Sequence, residues 1–228
     1  MCGEKAGHQD LLAWTASTRS KIAIWDGRVR DAVNHARRGA SYVTHGTVGA
    51  LLACQEADAW SKLGATAETE AALRRAESAR GAVQGEDVIG GLFACSIGRQ
   101  EQYHASAHLR IGRYESALAE ADSALAHLQA QPQRAYGTEA QTSISQAMGH
   151  IGLGRPEAVM EVLAPVIRLQ PEQRLDTVIG RMRELTTMMR YAPGARGAAG
   201  VRARAELTDW CQDSAPSRLA LPSGCSLS

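Results

Sequence analysis

The sequence predicts an all-α protein, a superhelical solenoid of antiparallel helix hairpins with about nine to eleven helices. Three observations predict it. Apolar residues recur with helical rather than strand periodicity along most of the chain. Single glycines mark the short connectors at Gly27, Gly64, Gly112 and Gly154. Small residues stand at fixed offsets from those glycines. Composition agrees: hydrophobic residues reach 44% while aromatics are only 4%. That balance suits close helix–helix packing better than a β-sandwich.

The first amphipathic stretch carries Leu11, Leu12, Thr15, Ile22 and Trp25. Others follow over 28–39, 47–63, 67–80, 98–111, 114–130, 137–153, 156–169 and 172–190. The longest interruption, 81–97, holds Gly81, Gly85, Gly90 and Gly91. Glu86 and Asp87 in this loop read as solvated. A second weak zone, APGARGAAG, spans 192–200, and 201–212 reads as a last helix. The expected layout is a disordered start at 1–9, a repeat domain over 10–190 and a capping helix within 191–212. A disordered tail with Pro216 and Pro222 follows over 213–228.

The glycines set the register. Seven residues before them stand Ser20, Ala57, Ala105 and Ala147. Five after stand Ala32, Thr69, Ala117 and Val159, and nine after stand Ala36, Leu73, Ala121 and Leu163. Twelve after stand Gly39, Ala76, Ala124 and Val166. Mostly small side chains recur where two helices of one hairpin must approach. The glycine supplies the left-handed backbone that ends the first helix.

The stretch HLRIGRYESALAEADSALAHL, 108–128, resembles a tetratricopeptide repeat, with Gly112, Tyr114, Ala117 and Ala124 on the motif positions. MGHIGLGRPEAVMEVLAPVIRLQP, 148–171, resembles another, with Gly154 and a closing Pro171. Residues 10–190 together resemble the C-terminal sensor domain of bacterial XRE-type helix-turn-helix regulators. The segments that carry this are LLAWTASTRSKIAIWDGRVRDAV, GGLFACSIGRQEQY, RAYGTEA and PEQRLDTVIGRMREL. The resemblance implies a regulatory TPR-like module that binds a protein, a peptide or a small-molecule effector. Such regulators begin with a DNA-reading helix-turn-helix. Here the first repeat starts near residue 10, so no specific nucleic-acid binding is expected of this chain alone.

Composition and motifs narrow the classes further. Net charge is +1, without the basic excess of a nucleic-acid-binding domain. The cysteines, Cys2, Cys54, Cys95, Cys211 and Cys225, form no C-x-x-C pair, and Cys54 reads as a small buried hydrophobe. Neither a signal peptide nor a membrane span is read, so the cytoplasm is the expected location. Met1-Cys2-Gly3 suggests an N-terminal cysteine nucleophile, but the β-sheet core of such amidotransferases is not foreseen. His104 and His108 share one helical face at i, i+4, yet no third ligand is evident, and they read as packing histidines. Phosphate-loop and nucleophile-elbow motifs are absent from the sequence. Arg190, Arg196, Arg202 and Arg204 read as a solvated basic cluster. No cofactor, metal or catalytic set is expected.

What remains is a surface. In stacked helix hairpins the first helix of each pair lines the concave face. The polar residues placed there are Ser17, Lys21, Gln55, Arg99, Gln102, Ser106, Arg110 and Gln141. Arg99, Gln102, Ser106 and Arg110 run along one helical stripe. A wet helix face of no function reads equally well from these residues. The leading expectation is a binding module, compatible with a homodimer, acting as the sensor part of a transcription regulator. A first alternative is an intact DNA-binding regulator with a cryptic helix-turn-helix over 31–55. A second is an enzyme of unknown class.

Overall fold

A computed structural model describes residues 8–42, 44–85, 87, 94–132 and 135–214. Expected disorder at 1–7 and 215–228, and the expected glycine connector at 88–93, lie outside the described residues. Those described form ten α-helices and three short 3-10 turns, with no strand. The helices are α1 Gln9–Trp25, α2 Val29–Ala40, α3 Val48–Lys62, α4 Thr66–Gly81 and α5 Ile97–Arg110. Then come α6 Tyr114–Gln129, α7 Tyr136–Gly152, α8 Val159–Ile167, α9 Asp176–Tyr191 and α10 Ala198–Asp213. Prolines shorten two expected helices. Pro156 and Pro171 each open a 3-10 turn, so α8 starts at Val159 and α9 at Asp176. Residue 9 and residue 213, expected in disordered ends, belong to α1 and α10.

The chain divides into two compact units, Met1–His127 and Leu128–Ser228. Each half buries its own apolar clusters. The second unit packs Ile144, Val159, Leu163, Val178, Ile179, Met182, Leu185 and Leu207 into one continuous core. The first unit holds smaller clusters, among them Ala13, Ala16, Val48 and Leu52, and Ala23, Ala32, Val33 and Ala59.

The hairpin register is visible atom by atom. Gly27, Gly64, Gly112 and Gly154 are the positive-φ residues among those described, at φ 73°, 70°, 74° and 71°. After each, the next residue's N–H reaches back five residues: Arg28 to Ala23, Ala65 to Trp60, Arg113 to His108, Arg155 to His150. Each glycine N–H donates to the carbonyl three residues earlier, at 3.1 Å in all four. This double closure satisfies the carbonyls at the end of each first helix. Every position at the offsets seven before and five, nine and twelve after the glycines is buried. Ser20, standing where the other copies have Ala, donates its Oγ–H to Ala32 O across the hairpin at 2.9 Å.

Two polar devices lock the first unit. Glu56 Oε1 lies 2.7 Å from Arg37 Nε of α2, 2.8 Å from Arg75 of α4 and 3.1 Å from Trp60 Nε1. Asp87, expected to be solvated, is half-buried instead. It accepts from Thr47 N–H at 2.7 Å and from the Thr47 hydroxyl, so it caps the start of α3.

Close approach makes the fold sensitive to added volume. A Cβ on Gly39 of α2 would sit 2.9 Å from Ala16 Cβ and 2.5 Å from Leu52 Cδ2. Ala117 and Ala124 of α6 are wholly buried. Gly39→Ala, Ala117→Leu and Ala124→Leu should each cost about 1–3 kcal/mol. Denaturant titration tests this; midpoints unchanged within error would show that the close-packing register is misplaced.

Candidate functional site

The first helices of the three hairpins in the first unit are α1, α3 and α5. Six residues before their turn glycines stand Lys21, Asp58 and Ser106. Nine before the last two stand Gln55 and Tyr103. The register thus puts an ammonium, a carboxylate and a hydroxyl at one repeated position on three successive hairpins.

Side-chain geometry joins them. Lys21 Nζ donates to Tyr103 Oη at 3.3 Å, linking α1 to α5. The same ammonium lies 5.4 Å from the Tyr103 ring centroid and 5.8 Å from that of Trp25. Arg110 NH1 of α5 donates to Asp58 Oδ1 of α3 at 2.6 Å and to Ser61 Oγ at 3.3 Å. Tyr103 raises the Lys21 pKa above the ordinary lysine value; burial opposes this and Asp58 adds to it. Burial acts to raise the Asp58 pKa, but Arg110, then Lys62 and Lys21, outweigh it and hold the carboxyl below its usual value. One carboxylate therefore sits among Lys21, Lys62 and Arg110, with Arg99 also acting on Lys21.

Gln55 lies on α3 one turn before Asp58, a spacing that shares a helix face. Only 4% exposed, its Oε1 has no hydrogen-bond donor among the described residues. A buried amide oxygen without a donor costs about 1–3 kcal/mol.

The expected residues divide. Lys21, Gln55 and Arg110 join this cluster, and Arg99 borders it. Arg110 was expected to grip a ligand, but its guanidinium is engaged by Asp58. Arg99 NH1 donates to Ala94 O at 2.8 Å. Ser17 and Ser106, expected on a wet surface, are buried, and Gln102 is half-buried. Gln141 belongs to α7 in the second unit, where its Nε2 donates to Gly137 O at 3.2 Å and to Thr177 Oγ1 at 3.5 Å. Asp58, Tyr103, Lys62 and Trp25 were not foreseen. Asp58 could have been found, since it shares the register position of Lys21 and Ser106.

Two further buried polar atoms lie on α5. His104 Nδ1 is 3.5 Å from Glu120 Oε1 of α6, while His104 Nε2 and His108 Nδ1 have no hydrogen-bond partner among the described residues. Burial lowers the His108 pKa, Glu120 opposing. Among the described residues no group of three or more His, Cys, Asp or Glu is placed to hold a metal ion. No helix among the described residues is long and apolar enough to cross a membrane. No family model, curated protein or solved structure matches the chain.

The sign of the Asp58 linkage is fixed by its lowered value. A depressed folded-state pKa contributes stability above the unfolded value of about 3.9, lost as pH falls through the folded value. Asp58→Asn should therefore lose about 1–3 kcal/mol at pH 7 and a diminishing amount in acid. Urea titrations at neutral pH and near pH 3 check this; a deficit independent of pH would assign the loss to packing.

Proposed function

We propose that this chain is a binding module whose first-helix face in the first unit takes an anionic peptide or an acidic small effector. The single observation behind this reading is the buried Gln55 oxygen lacking a donor among the described residues, one helical turn before the Asp58 that Lys21, Lys62 and Arg110 surround. A ligand carboxylate would compete with Asp58 for Arg110 and with the Tyr103 hydroxyl for Lys21, while its N–H would serve Gln55 once that oxygen is uncovered. An extended peptide ending in a free carboxylate has both groups within a few ångströms.

The repeated glycine turns and buried offsets support reading the hairpins as tetratricopeptide-like, and the resemblance to XRE-type regulators supports a sensor role within transcription regulation. The rival DNA-reading segment, 31–55, falls on α2 and α3, helices of two different hairpins. Arg37 of that segment is paired with Glu56 of α3.

Gln55→Met separates binding from stability. Removing an amide oxygen that has no donor should leave the thermal midpoint equal or higher. The probes are short acidic peptides with free C-termini and the same peptides amidated. Titration calorimetry should show binding of the free acids, loss of about tenfold or more on amidation, and a comparable loss in Gln55→Met. A folded protein that binds neither set, or binds equally well in Gln55→Met, would overturn the proposal.

A further inference from the structure

Cys54 of α3 and Cys95, which directly precedes the Ser96 cap of α5, share one buried cluster with Leu51, Ala76 and Tyr103. Both are wholly buried, and each acts on the acidity of the other's thiol. Thiols this close, 41 residues apart in the chain, are unlike the usual solitary core cysteine. The backbone at Cys95 is pinned on every side. Its N–H donates to Thr47 Oγ1 at 2.7 Å. Its carbonyl accepts from Arg80 NH2, and the Ala94 carbonyl before it accepts from Arg99 NH1.

These bonds hold two guanidiniums beside the sulfur. Cations next to a thiol favour its thiolate, the form that attacks peroxides. The neighbouring Cys54 thiol, then Arg99 and Arg80, bring Cys95 below the ordinary cysteine value against burial, while burial raises Cys54. The pair is thus asymmetric, with a nucleophile at Cys95 and a resolving thiol at Cys54.

We propose that Cys54 and Cys95 form a peroxide-oxidisable dithiol that closes to a disulfide between α3 and the segment leading into α5. The Cys95 thiolate attacks one oxygen of a hydroperoxide. An S–O bond forms, the O–O bond breaks, and the departing oxygen leaves as alcohol or water after taking a proton. Cys54 Sγ then attacks the Cys95 sulfenic sulfur. The S–S bond forms, the S–O bond breaks, and the hydroxyl departs as water with the Cys54 proton. Two thiols lose two electrons, which reduce the peroxide. A water-sized oxidant suits a buried pair, and the second step is intramolecular between two thiols of one buried cluster. This inference does not rest on the ligand reading above.

The test uses the full chain with Cys2, Cys211 and Cys225 replaced by Ser, treated with hydrogen peroxide under native conditions. Denaturation in N-ethylmaleimide and peptide mapping without reductant follow. The expected result is a mass loss of two hydrogens, a Cys54–Cys95 linked peptide, a higher thermal midpoint and full reversal by dithiothreitol. Adding Cys54→Ser should let dimedone trap a sulfenic acid at Cys95, while adding Cys95→Ser should leave Cys54 as free thiol. Recovery of both cysteines alkylated after native treatment would overturn the proposal. So would a linked peptide formed only in denaturant, or sulfenic acid trapped at Cys54 rather than Cys95.

Discussion

The left-handed glycine at the end of each first helix is the constraint on which the rest depends. It lets the chain reverse within a few residues while the last carbonyls of the helix stay bonded. Reversal that tight brings the two helices of a hairpin close together, and mostly small side chains stand between them. Ala57, Ala105 and Ala147 meet that demand directly, whereas Ser20 meets it with a hydroxyl that finds a carbonyl on the opposing helix. The first-helix faces are aligned by the same repeated turn. Without it Lys21, Asp58 and Ser106 would hold no common register.

Both units bury polar side chains beside their apolar cores, the second enclosing Thr142, Ser143, Ser145 and Arg181. The second relies on branched aliphatic and methionine packing around Ile179, Met182 and Leu185. The first encloses Ser17, Gln55, Glu56, Gln100, His104 and Ser106. Glu56 is satisfied three times over by Arg37, Arg75 and Trp60, so its burial is compensated. Gln55 Oε1, on the adjacent residue but another face of α3, is not.

Much of the fold was legible because its rules are local. Helical period, glycine turns and small-residue offsets depend on neighbours a few residues apart, and the four glycines are the positive-φ positions among the described residues. Pro156 and Pro171 were visible too, yet their splitting of 156–169 and 172–190 into 3-10 turn and helix was missed. The site was half legible. Lys21, Gln55 and Arg110 follow from register alone. The capture of Arg110 by Asp58, 52 residues away, and the meeting of Lys21 with Tyr103, 82 residues away, depend on how hairpins stack. No periodicity reports that. Asp87 failed for the same reason, since a loop carboxylate looks solvated until the helix it caps is placed beside it.

That cap has a consequence in time. The carboxylate closing the start of α3 is encoded 40 residues after Thr47, beyond the whole of α3 and α4. During synthesis on the ribosome both helices emerge before the group that finishes the first of them. Until Asp87 arrives, the amide and hydroxyl of Thr47 must be served by water. The Thr47 hydroxyl that later accepts the Cys95 N–H waits longer still. The second hairpin is therefore born incomplete, and its order is finished by a chain segment that belongs to neither of its helices.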